Sequence, residues 1–262
     1  MLRYLKLLNL FVRVSVQDNA AYRMDFVVQV IITLLHFAAE LAGLWTIFIN
    51  TKELAGWNAY QLVTLLGVFR IMSGVIGLAI APNMRIMMEE IRDGKLDYAV
   101  IKPVNTQFFI SFRRIAIWRI ADLTLGTLLI ICALVQLSAS MTVGKILLFA
   151  LMLGAGIVII YSFWLGLATL AFWFTRISNI EMVFWNIYEA GRYPVDIYRP
   201  WVRRGLTYII PLAFLTTFPA ASLVGKANPA NVLAAVLVAS LALTASSLFW
   251  QYGLRHYSGA SA

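Results

Sequence analysis

Five stretches of this sequence are apolar over runs long enough to cross a lipid bilayer: Phe26–Ile49, about Tyr60–Ala81, Ile115–Leu137, Ile146–Phe172 and about Val232–Tyr252. A helix rises about 1.5 Å per residue and the hydrocarbon core is about 30 Å thick, so one crossing takes about 20 mostly apolar residues. Composition agrees. Hydrophobic residues make up 61% of the 262 and charged residues 13%. A soluble domain carries about 45–50% and about 25%. A chain of this size cannot hide so much apolar surface in its own core, so the bilayer is its solvent. The expected fold is an all-α integral membrane protein.

The net charge is +9. On a soluble domain that excess would suggest nucleic-acid binding, but no soluble domain carries a basic patch here. The basic residues flank the apolar runs instead. Arg3, Lys6, Arg13 and Arg23 precede the first run, and Lys52 alone separates the first from the second. Arg85, Arg92, Lys95, Lys102, Arg113 and Arg114 lie between the second and third, and Lys145 alone between the third and fourth. Cytoplasmic loops are the basic ones, so this alternation puts the N-terminus in the cytoplasm. Six spans would return the C-terminus there too, beside Arg255.

Residues 1–24 read as a basic amphipathic helix in the membrane interface. Arg3, Lys6, Asn9, Arg13 and Gln17 share one arc of about 120° at helical spacing. Arg13 interrupts the apolar run and no small-residue cleavage site follows, unlike a cleaved signal peptide. The one cysteine, Cys132, cannot form an internal disulfide. His36 and His256 lie far apart, and no metal-ligand spacing is present. No phosphate-binding G-x-x-x-x-G-K-[ST] loop occurs, so ATP hydrolysis by that route is not expected of this chain.

The sixth crossing must lie within Arg176–Lys226, and two arrangements are open. In the first, Leu206–Val224 crosses and Arg192, Arg199, Arg203 and Arg204 stay inside, as hydropathy and the charge bias favour. In the second, about Ser178–Tyr193 is a short crossing. Residues 194–223, punctuated by Pro194, Pro200, Pro211 and Pro219, then enter from the outer side as broken helices.

Ionisable residues inside spans are expensive and need a partner or a watery path. His36 and Glu40 are four apart on one face of the first span. Glu40 and Arg70 both lie near mid-span, and Arg119 and Asp122 are three apart at the third. These five residues read either as a polar lining touched by substrate or as structural pairs, Glu40 with Arg70 and Arg119 with Asp122. Small residues at Ala235, Ala239, Ala242 and Ser246 form one stripe that permits close packing against another span or another subunit. Aromatic residues, Trp201 among them, sit mostly near span ends, where interfacial anchoring is the default.

Two stretches carry a family resemblance. The first is Glu90-Ile91-Arg92-Asp93-Gly94-Lys95-Leu96-Asp97-Tyr98, with Lys102-Pro103-Val104-Asn105 after it. The second is Tyr193-Pro194-Val195-Asp196-Ile197-Tyr198, followed by Trp201-Val202-Arg203, Ile210-Pro211-Leu212-Ala213-Phe214 and Phe218-Pro219-Ala220. In their order, and with the span pattern, they resemble the permease subunits of type-2 ABC exporters. The closer likeness is to a bacterial subgroup of about this chain's length. The resemblance implies six transmembrane helices with re-entrant helices over 194–223, which favours the second arrangement. It implies a cytoplasmic coupling helix within Asn83–Asn105, with Glu89, Glu90, Arg92, Asp93, Gly94, Lys95, Leu96 and Asp97 docking into an ATPase. Without the resemblance that segment would pass for a solvated loop.

The resemblance also implies the partners and the place. Separate ATP-binding cassette ATPase subunits hold ATP and Mg, and this chain binds no cofactor. A second permease, homologous or identical, completes the path in the bacterial cytoplasmic (inner) membrane. Lipids, glycolipids, peptides or hydrophobic drugs are candidate cargo. A stand-alone secondary transporter would show internal repeats, and none is evident. An intramembrane enzyme would cluster a nucleophile with its base, and His36 lacks such company. A membrane scaffold would tolerate loss of the mid-span charges.

Overall fold

The computed structural model describes residues 2–21, 23–138, 141–174 and 180–257; the candidate boundaries at Arg176 and Ser178 lie outside them. α1 (Leu2–Ala21) runs beside α6 (Thr106–Phe112). Tyr4 meets Phe108 edge-on at 4.8 Å, and Phe11 meets Phe109 at 5.6 Å. Phe11 and Ser15, one turn apart, are buried, while Leu5, Leu10, Val12 and Val16 are exposed.

α2 (Arg23–Asn50) leads into a hairpin of β1 (Glu53–Leu54) and β2 (Trp57–Asn58). Its two-residue turn holds Ala55 and Gly56 at φ of +50° and +77°. Two positive φ values match the right-handed twist of paired strands, and glycine at the second position suits the requirement. Asn58 then caps α3 (Ala59–Val75) reciprocally: its side chain accepts from Gln61 N at 3.0 Å, and Asn58 N donates to Gln61 at 3.2 Å.

The second span extends well past the apolar run. α3 passes through a π-helical turn, Ile76–Ile80, into α4 (Ala81–Arg92), giving one helix over Ala59–Arg92. Pro82 should break such a helix, because it cannot donate to the carbonyl four residues back. Here Leu78 O accepts instead from Ala116 N at 2.8 Å. Asn83 completes the repair. Its amide donates to Ala79 O at 2.6 Å and Arg114 O at 2.7 Å, and its oxygen accepts from Arg114 N at 3.0 Å. The first part of the expected cytoplasmic segment, 83–92, is therefore a continuation of the second span.

α5 (Asp97–Val100) and α6 follow at the α1 end, and a 3-10 turn, Ile117–Arg119, starts α7 (Ile120–Gln136). α7 packs along α3 at a close crossing. A Cβ on Gly126 would stand 2.6 Å from Gly67 O, and one on Gly67 would stand 2.8 Å from Gly126 O. Small residues let two apolar helices approach this closely in lipid. Gly126→Val is expected to lower stability by about 1–3 kcal/mol, the usual cost of overpacking. Thermal unfolding in detergent measures it. Gly166→Ala on α8, where an added Cβ meets nothing within 4 Å, is the control and should not destabilise.

α8 (Val143–Thr169) extends through a 3-10 turn to Phe172 and pairs with α12 (Pro229–Arg255). Ala235, Ala239 and Ser246 are buried while Leu237, Leu241 and Leu248 are exposed. The small-residue stripe thus faces another span of the same chain.

Between α8 and α12 the chain is broken. α9 (Ile180–Tyr188) continues into 3-10 turns Glu189–Arg192 and Val195–Ile197. α10 (Pro200–Tyr208) then bends by 76° into the helical stretch Ala213–Leu223, whose last part is α11 (Phe218–Leu223). The prolines explain the breaks. Pro200 starts α10, Pro211 falls in the bend, and Pro219 sits in the first turn of α11. Lys226, just past α11, bonds Gly56 O and lies 4.8 Å over Trp57, so this segment ends at the hairpin. α9 starts at the α1 end, where Glu181 lies 3.9 Å from Arg85.

Candidate functional site

The close α3–α7 crossing decides where the buried charges meet. Arg70 is three residues past Gly67, and Asp122 is four before Gly126, so the antiparallel helices bring them together. Arg70 Nη1 lies 2.8 Å from Asp122 Oδ1, and its Nε lies 2.7 Å from Glu40 Oε2 on α2. Arg119 Nη1 takes the other Asp122 oxygen at 3.1 Å. Arg192 Nη2 reaches Glu40 Oε1 at 3.2 Å and also pairs with Glu189. The result is one alternating chain: Glu189, Arg192, Glu40, Arg70, Asp122, Arg119. Its charges balance, as groups taken out of water require.

The Asp122 side chain is fully buried and that of Glu40 nearly so. Aromatic rings cover the cations. Arg119 sits 4.1 Å over Trp118, while Arg70 faces Phe37 and Arg192 faces Phe69, each at 5.7 Å. Tyr188 stacks on Phe69 at 4.7 Å and donates its hydroxyl to Phe69 O at 2.9 Å. The broken segment after α9 is thereby fastened to the middle of α3.

The sequence suggests Glu40–Arg70 and Arg119–Asp122 as separate pairs. The structure contains both and joins them through Arg70–Asp122. His36 is exposed and lies outside the chain of charges, although it is one turn from Glu40. Arg192 and Glu189 are the members that sequence reasoning missed. Their three-residue spacing was the available signal, obscured by the uncertain path of 176–226.

The Arg119 end of the network opens on a cavity of about 630 Å³ between the α1–α2 junction, α4 and α9. Asp18, Asp25, Arg85, Arg114, Trp118 and Trp185 are among its walls. It offers both signs of charge beside indole rings. Among the described residues, no cluster of three or more His, Cys, Asp or Glu is placed to hold a metal ion.

A second arrangement stands at the tip of α4. Gly94 adopts φ +68°, Lys95 N donates to Glu90 O at 2.8 Å and Gly94 N to Ile91 O at 3.3 Å. This pair of bonds closes the helix, and the left-handed φ favours glycine. Glu90 is held by a two-pronged bond to Arg113, at 2.9 and 2.7 Å. Lys95 and Arg92, each 3.2 Å from Asp93, hold its carboxyl below the usual carboxylate range. Leu96 is fully buried and Ala99 nearly so, which anchors α5. Tyr98 and Ile101 on the other face are 72% and 77% exposed. Glu89 is exposed and Asp97 partly buried at its flanks. Sequence reasoning put the weight on the charges and passed over these two apolar residues.

Five apolar spanning helices, one broken segment and a balanced buried charge network define a polytopic membrane protein. The ABC-2 family transporter protein profile matches residues 34–261, and the chain belongs to that family. It is a membrane permease component of an ABC transporter, and not the ATPase; membership implies association with ATP-binding cassette subunits. No curated protein matches the chain.

Proposed function

We propose that this chain is one of two permease subunits of an ATP-driven exporter of a bacterial cytoplasmic membrane. The α1 end and both termini face the cytoplasm, where separate ATPase subunits bind ATP and Mg. The α1 end carries Arg3, Lys6, Arg13, Arg85, Arg92, Lys95, Arg113 and Arg114, which the positive-inside bias places in the cytoplasm. In this orientation α9 and its 3-10 turns make the short fifth crossing. The α10–α11 stretch, with Pro194, Pro200, Trp201, Pro211 and Pro219, is re-entrant from outside.

The observation that carries this reading is the α4–α5 tip. It presents exposed Tyr98 and Ile101 just past the closed end of α4, on a turn held down by Leu96 and Ala99. Such exposed anchors suit insertion into a partner's cleft. The tip is also continuous with the helix that bears Arg70. Arg92 and Arg70 are 22 residues apart by number, roughly 33 Å along a helix. ATPase closure would displace the tip, and α4 and α3 would pass the displacement to the charge network, with the π turn between them as the compliant point. The network would then redistribute its pairs among α2, α7 and the segment after α9, opening an outward route. The cavity with Arg85, Arg114, Trp118 and Trp185 suits an amphiphilic cargo with a charged head.

Mild-detergent purification of the tagged chain, with an ATPase assay, tests the reading. Recovery of an ATP-hydrolysing subunit and a second permease is expected. Recovery of this chain alone under several mild conditions would favour a stand-alone transporter or scaffold.

A further inference from the structure

We infer that α10 and the cavity beside it form a binding site for an anionic phospholipid headgroup in the leaflet at the hairpin end. α10 has two unlike faces. Trp201, Tyr208 and Ile209 fall within about 100° of arc at helical spacing, and they are 74%, 77% and 76% exposed. Arg203 and Thr207 lie on the other side, with Arg204 at the margin. A cavity of about 630 Å³ adjoins it, with Asp196, Arg203, Arg204, Thr207, Tyr208 and Asn231 among its walls.

Its depth suits a headgroup. Asn231 is the third residue of α12. α12 has 27 residues, about 40 Å against a hydrocarbon core of about 30 Å, so its first turn stands among headgroups. Trp and Tyr favour that level, and a basic amphipathic helix lies there. The charge selects the lipid. Asp196 is paired with Arg203 at 2.8 Å. Arg204 has no ion-pair partner among the described residues and is exposed at the cavity. One guanidinium is thus in surplus, beside the Asn231 amide and the Tyr208 hydroxyl. A phosphodiester without its own ammonium supplies the missing charge, whereas a choline headgroup brings a cation that competes with Arg204. A cavity of several hundred cubic ångströms also matches a small polar headgroup. The basic residues of α10 run against the positive-inside bias in the proposed orientation, and a local anionic ligand accounts for them.

Quenching in nanodiscs tests the inference on the full chain. Lipids brominated near the headgroup end of the acyl chain are used, either phosphatidylglycerol or phosphatidylcholine in a common unlabelled background. The Trp201 signal is the difference between wild type and Trp201→Phe. One surplus cation near the surface is expected to enrich the anionic lipid about fivefold at low salt. Quenching should therefore be several-fold stronger with brominated phosphatidylglycerol, and Arg204→Gln should equalise the two lipids. Equal quenching in wild type, or a preference that survives Arg204→Gln, would overturn the inference. So would quenching by neither lipid, the sign of a face covered by a second chain.

Discussion

Replacing Arg70 by methionine is expected to destabilise the protein by about 3–5 kcal/mol, the cost of leaving buried carboxylates without their cation. Arg70 is the centre of the network, bonded to Glu40 at 2.7 Å and to Asp122 at 2.8 Å. Without it, three carboxylates share two guanidinium groups. Arg70→Lys keeps the charge but cannot fork between two acids, and should fall between wild type and methionine. The sharper test lies in double variants. Arg70→Met with Glu40→Leu leaves two balanced pairs, Glu189–Arg192 and Arg119–Asp122, and should recover much of the lost stability. Arg70→Met with Asp122→Leu strands Arg119 and should recover less. Thermal midpoints and the yield of monodisperse protein in one detergent give the order. A reversed order would refute the chain of charges as drawn.

Tyr98→Ser combined with Ile101→Ser should weaken ATPase binding on the order of 100-fold, because burying each large apolar side chain is worth about 1.5–3 kcal/mol. The fold should survive, since Leu96 and Ala99 anchor α5 and are untouched. Neutralising the charges around Asp93 should matter much less, because they are solvated and already paired with one another. Co-purification of the ATPase with each variant, at matched thermal stability, separates the two contributions. Loss of the ATPase on charge removal alone would assign the docking to the charges instead.

The spans were legible because lipid demands long apolar runs, and all five candidate runs are helices in the structure. The buried pairs were legible for a related reason: an isolated charge at mid-span has no cheap solution, so Glu40, Arg70, Arg119 and Asp122 had to find partners. What escaped was set by contacts distant in sequence. Pro82 removes a helical donor, and the helix runs on to Arg92 because Ala116 N takes up the Leu78 carbonyl and the Arg114 backbone holds the Asn83 side chain, whose amide also covers Ala79 O. Within 180–223 the longest uncharged apolar run is in Leu206–Val224, so hydropathy drew the crossing there and set Arg192 on the cytoplasmic side and not beside Glu40. His36 shows the opposite limit. Helical spacing placed it beside Glu40, but exposure to the surroundings of α2 keeps it from the network.

The most direct test of coupling through the α4–α5 tip is a single cysteine at Tyr98, Tyr98→Cys in a Cys132→Ser background, in native membranes. A membrane-impermeant maleimide should label it in inside-out vesicles stripped of peripheral subunits, and not in intact spheroplasts. Adding back the ATPase should protect it, and a short cross-linker with a maleimide at one end and an amine-reactive ester at the other, attached to the introduced thiol beforehand, should join the two chains through a lysine of the ATPase. Labelling from the outer side, or unchanged labelling with the ATPase bound, would contradict the coupling role assigned to this tip.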